Sequence, residues 1–102
     1  MNNNFEQIVM NNKEEIIKTL QELIQIRSVY DESTKTALAP FGKGINDALK
    51  YMEKKAKEDG FEVLNDNGYA LEISYGEGEK SVGVLCHLDV VPEGKNWMYP
   101  PY

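Results

Sequence analysis

Cysteine, histidine and tryptophan each occur once in these 102 residues, as Cys86, His87 and Trp97. One cysteine cannot close an internal disulfide, so a disulfide-stapled scaffold is excluded and a reducing compartment is expected. A closed tetrahedral metal site needs about four ligands, and a chain with one histidine and one cysteine offers no recognisable set. Positive charge is also short: 11 Lys and Arg stand against 17 Asp and Glu, for a net charge of -6. That balance argues against nucleic acid or an anionic membrane as a partner. No apolar run approaches the ~20 residues of a membrane span. The opening Met1-Asn2-Asn3-Asn4-Phe5-Glu6 has neither the basic nor the apolar region of a signal peptide, so the cytoplasm is the expected location.

What is present reads as one globular domain, with 41% hydrophobic and 27% charged residues. Residues 1 to 11 predict a short helix or an arm packed through Phe5, Ile8 and Val9. Asn12 and Glu15 have the spacing of a capping pair, and Ile16, Ile17, Leu20, Leu23 and Ile24 then follow helical periodicity over about 13 to 27. That stripe is expected to pack on the chain's own sheet. Residues 28 to 43 lack periodicity and form a long connection, either functional or a plain crossover. A second helix carries Ile45, Ala48, Leu49, Met52 and Ala56 on one face, with Gly60 just past its end. Asn67-Gly68 marks a tight turn between strands near 61 to 64 and 69 to 75. Gly76-Glu77-Gly78-Glu79 predicts a second turn, leading to a third strand over Ser81 to His87 that is buried on both faces. Two helices followed by a three-stranded meander place the chain in the α/β class.

The last stretch, Val82 to Tyr102, holds the rare residues and three of the four prolines. On a strand, His87 and Asp89 would share a face, because positions two apart point the same way. An imidazole beside a carboxylate is the arrangement of a metal ligand and the group that fixes its tautomer. A lone histidine near a strand end also serves purely structural roles, and spacing alone leaves both readings open. Cys86 would point to the opposite face, as a buried strand residue rather than a co-ligand or nucleophile.

Cys86-His87-Leu88-Asp89-Val90-Val91-Pro92-Glu93-Gly94, followed by Trp97 and Pro100-Pro101-Tyr102, resembles the first signature of a co-catalytic metallopeptidase family. That family includes aminoacylases, succinyl-diaminopimelate desuccinylases and several dipeptidases. Pro40-Phe41-Gly42-Lys43-Gly44, Ala48-Leu49-Lys50-Tyr51-Met52, Asp59-Gly60-Phe61 and Asn67-Gly68-Tyr69-Ala70 are similar to peptidase V-type dipeptidases. The resemblance thus covers nearly the whole chain. Cys86 stands where many relatives have glycine, and Lys95-Asn96 replaces a more usual acidic or glycine pair.

The resemblance implies the N-terminal part of an αβα zinc-peptidase catalytic domain over residues 1–102. It implies His87 as a ligand of one metal ion and Asp89 as the catalytic aspartate that holds the imidazole. Two ions, commonly zinc and in some relatives manganese, would polarise the scissile carbonyl of a dipeptide and activate a water. No residue here is assigned to substrate binding. The remaining ligands and the general-base glutamate belong further along such a chain. The expectation is therefore a fragment of a dipeptidase, inactive by itself, with an exposed sheet edge that favours self-association. An amide deacylase or desuccinylase of the same family is the alternative within the resemblance. A non-catalytic interaction domain with a relic motif is the alternative outside it.

Overall fold

A computed structural model of the chain describes residues 4–102. The order is α1 (Phe5–Asn11), α2 (Lys13–Ile24), a 3-10 turn (Glu32–Thr34), α3 (Lys43–Glu58), β1 (Glu62–Asp66) and β2 (Ala70–Ser74). The chain is thus mixed α/β, with three helices and one two-stranded antiparallel sheet among the described residues.

The packed core runs from α3 through the hairpin. Ile45, Ala48, Leu49 and Ala56 recur on one helical face and are buried, Ala48 completely. That face lies against β1 and β2, and Val29 and Ala39 from the preceding connection complete the core. The helix stops at Gly60, whose φ of +87° only glycine adopts freely. The Phe61 N–H returns to the Ala56 carbonyl and the Gly60 N–H to the Lys57 carbonyl. These two bonds satisfy carbonyls that the helix end would leave bare.

β1 and β2 pair from Glu62 opposite Ser74 to Asp66 opposite Ala70. Asn67 and Gly68 both have positive φ, and the Tyr69 N–H donates to the Asp66 carbonyl at 2.9 Å. This is the mirror-image turn whose twist suits a hairpin. Gly68 is needed twice over, since a Cβ there would lie 2.2 Å from the Leu38 carbonyl oxygen. The 28 to 43 connection is therefore pressed onto the hairpin tip. It is also tied internally: Asp31 accepts from the Ser33 N–H, Thr36 pairs with Ala39, and Thr34 Oγ1 accepts from the Lys43 N–H at 2.8 Å. That last bond satisfies one of the free N–H groups at the start of α3.

Several expectations need correction. The third strand does not form: residues 75–102 carry no helix or strand, and Val82, Val84 and Leu85 are almost wholly exposed. An apolar strand meant for burial on both faces needs neighbours on each side, and the described residues provide none. Cys86 is accordingly exposed, not a buried strand residue. α2 ends at Ile24 rather than 27 and buries no residue. It reaches α3 instead of the sheet, through Tyr51 Oη donating to the Thr19 carbonyl at 3.4 Å and a Lys55–Glu15 ion pair at 3.2 Å. Finally, Phe5, Ile8 and Val9 of α1 remain more than half exposed, and Asn12 does not cap α2. Its amide donates back to the Ile8 carbonyl at 2.8 Å. Met1, Asn2 and Asn3, part of the expected arm and of the signal-peptide argument, lie outside the described residues. No helix among the described residues is long and apolar enough to cross a membrane.

Candidate functional site

The site residues sit on a segment without helix, strand or ladder bonds, so its position must come from elsewhere. Residues 87 to 89 form a wall between two open cavities. One, of about 470 Å³, lies toward the end of α2 and is lined by Leu23, Ile24, Ser28, Trp97 and Tyr102. The other, of about 500 Å³, is lined by Tyr30, Phe41, Leu49, Met52 and Tyr69. His87, Leu88 and Asp89 face both. Phe41 and Tyr69 meet edge to face in the second cavity, with ring centroids 5.6 Å apart.

His87 Nδ1 lies 3.0 Å from the Asp89 backbone oxygen and 3.1 Å from Asp89 Oδ1. A backbone carbonyl oxygen can only accept, so in this pairing Nδ1 is the donor. Nε2 is then left with its lone pair. The His87 side chain is 83% exposed and that of Asp89 58%, so this nitrogen is open to approach. The pairing expected from the two-residue spacing is present, although the two residues lie on a segment without regular structure instead of on a strand face.

The donor set suits part of a metal site. A neutral imidazole with one nitrogen fixed by a carboxylate and the other free is the ligand form that divalent ions take. It is not a whole site: among the described residues no group of three or more His, Cys, Asp or Glu side chains converges. His87 and Asp89 supply one imidazole nitrogen and the carboxylate that orients it.

Four residues outside the expected set hold the segment. Ser28 Oγ donates to the Leu88 carbonyl at 2.9 Å, and the Val90 N–H donates to the Ser28 carbonyl at 3.0 Å. Arg27 Nε donates to both Glu93 oxygens, at 3.2 and 3.1 Å. Tyr102 Oη donates to Glu93 Oε2 at 3.2 Å, and Trp97 Nε1 to the Glu93 carbonyl at 2.6 Å. Glu93's own backbone N–H, and then the Arg27 guanidinium, hold its carboxyl below the usual value. Glu93 reciprocally raises Arg27. Nothing in the local sequence marks Arg27 and Ser28, because their partners lie about sixty residues away.

No family model matches the chain. Curated proteins do. Putative dipeptidase YtjP of Bacillus subtilis (strain 168) is 41% identical over 99 residues, which are 97% of this chain and 21% of that protein. Beta-Ala-Xaa dipeptidase of Lactobacillus delbrueckii subsp. lactis is 39% identical over 102 residues, 100% of this chain and 22% of its own length. A Putative dipeptidase of Staphylococcus epidermidis (strain ATCC 12228 / FDA PCI 1200) is 40% identical over 94 residues, 92% of this chain and 20% of its length. The chain spans about a fifth of the length of the curated relatives it matches. Over nearly all of its residues the chain is thus a homologue of one segment of proteins named as dipeptidases.

Proposed function

We propose that this chain supplies the His87 and Asp89 part of a two-metal dipeptidase centre within an αβα zinc-peptidase catalytic domain. The observation that carries the reading is the contact of His87 Nδ1 with both the backbone oxygen and Oδ1 of Asp89, in a chain about 40% identical to dipeptidases along its length. His87 Nε2 would hold one ion, zinc or manganese, and Asp89 would keep the ring turned toward it. When bound, such ions polarise a carbonyl and make water a better nucleophile. The chain's own contribution is orientation: the Asp89 carboxylate fixes the His87 proton on Nδ1 and stabilises positive charge that develops on the ring.

Among the described residues too few ligands come together for tight metal binding, and the 102-residue chain by itself should hydrolyse no dipeptide. Replacing the matching segment of the Lactobacillus Beta-Ala-Xaa dipeptidase with this chain tests the proposal. The chimera should hydrolyse β-Ala dipeptides, lose metal with His87→Ala, and lose turnover by roughly a hundredfold with Asp89→Ala, as when a group orienting a metal ligand is removed. Full turnover in the Asp89→Ala chimera refutes the assigned role. Micromolar or tighter zinc binding by the 102-residue chain, abolished in His87→Ala, refutes the claim that it is insufficient by itself.

A further inference from the structure

We infer that Ser28 is a positioning residue for His87 and Asp89, an inference that rests on the role proposed for those two side chains. Ser28 is the one buried polar side chain among the described residues, at 3% exposure. Its hydroxyl donates to the Leu88 carbonyl and its own carbonyl accepts from the Val90 N–H. A single residue therefore grips the chain on both sides of Asp89. The Val90 bond is also the only backbone-to-backbone bond that residues 75–102 make among the described residues.

The consequence reaches His87 through geometry. One of the two acceptors of the Nδ1 proton is the Asp89 backbone oxygen, so the tautomer depends on how the Asp89 peptide is turned. The Ser28 carbonyl holds that peptide through its Val90 N–H, and the Ser28 hydroxyl holds the Leu88–Asp89 peptide just before it. The grip itself is rigid, because α3 abuts it: a Cβ on Gly44 would come within 2.0 Å of the Arg27 carbonyl oxygen. Arg27 then adds a third point of attachment at Glu93. Losing the hydroxyl removes one of the two bonds that bracket Asp89. The Leu88 carbonyl must then seek water by rotating its peptide, which carries His87 and Asp89 out of register.

Nitrogen-15 spectra of the His87 ring in the full 102-residue chain, at a pH where the ring is neutral, test this. The wild type should show widely separated Nδ1 and Nε2 resonances, the signature of one tautomer. Ser28→Ala should draw the two together and speed exchange of the Val90 amide at least tenfold, with α3 and hairpin amides unchanged. Ser28→Thr, which keeps the hydroxyl, should restore the wild-type pattern. Unchanged ring resonances in Ser28→Ala overturn the inference. So does a general loss of α3 and hairpin protection, since the hydroxyl would then serve the fold at large. A ring that responds to Ser28 while the His87→Ala chimera keeps its metal leaves the positioning intact and removes the proposed function. An unresponsive ring with metal loss in that chimera does the reverse.

Discussion

Residues 28–74 and residues 75–102 have similar apolar content but opposite fates. In the first region α3 closes over a hairpin, and the connection from Ser28 to Gly42 closes over the hairpin tip. In the second, Val82, Val84, Leu85, Val91 and Met98 stand in solvent. The difference lies in partners: each element of the first region finds its cover within about forty residues of sequence, whereas the second, among the described residues, is hydrogen-bonded to the rest of the chain only through Arg27 and Ser28. The chain's radius of gyration, 16.3 Å, exceeds the roughly 13 Å of a compact domain of this size, as expected of a molecule half closed. Stability should therefore sit in the first region and site geometry in the second, so substitutions can separate the two.

The largest loss should follow Leu49→Ala. Leu49 is buried between α3 and the hairpin, and its truncation should cost about 3 kcal/mol in urea unfolding. Gly68→Ala comes next, at about 2 kcal/mol, because it combines a strained φ with a backbone clash. A loss under half a kcal/mol in either would show that the first region is not where stability resides.

The sequence made the first region legible because its signals are local. The period of Ile45, Ala48, Leu49 and Ala56, the stop at Gly60 and the Asn67-Gly68 turn each act within a few residues, and all are present as expected. Ser81 to His87 was expected as a strand because its apolar, β-branched run is right for one. A strand also needs a neighbour to pair with, and a run of residues does not reveal whether that neighbour exists. His87 and Asp89 were found through their spacing and the resemblance, and they do meet. Ser28 and Arg27 were not singled out as site residues, since a serine and an arginine after a helix look ordinary until the fold brings Leu88 and Glu93 to them.

A smaller effect should separate the regions by pH. Glu93's carboxyl is held below its ordinary value of 4.5, first by its own N–H and then by Arg27. The folded state thus releases this proton more readily than the unfolded chain. Its contribution is complete above the ordinary value and is lost as pH falls through the depressed one. Trp97, the only tryptophan, donates to the Glu93 carbonyl and reports on this segment alone. Its fluorescence should change as pH falls below 4.5 while helical circular dichroism from α3 holds. In Glu93→Gln that acid transition should be absent. Simultaneous change of both signals would mean that the two regions unfold as one.

The smallest effect should come from Leu85→Ser. Leu85 is fully exposed, so no buried apolar area is lost with its side chain, and stability should move by no more than about 0.5 kcal/mol. That value is for the chain alone in solution. Val82, Val84 and Leu85 form an exposed apolar run with unpaired backbone, which is the kind of surface that recruits a second strand. If copies associate through it, sedimentation will show a mass that rises with concentration, and Leu85→Ser will lower that association while leaving the monomer's unfolding unchanged. A monomer destabilised by more than 1 kcal/mol would place Leu85 in a packed environment, and the contrast between the two regions would collapse.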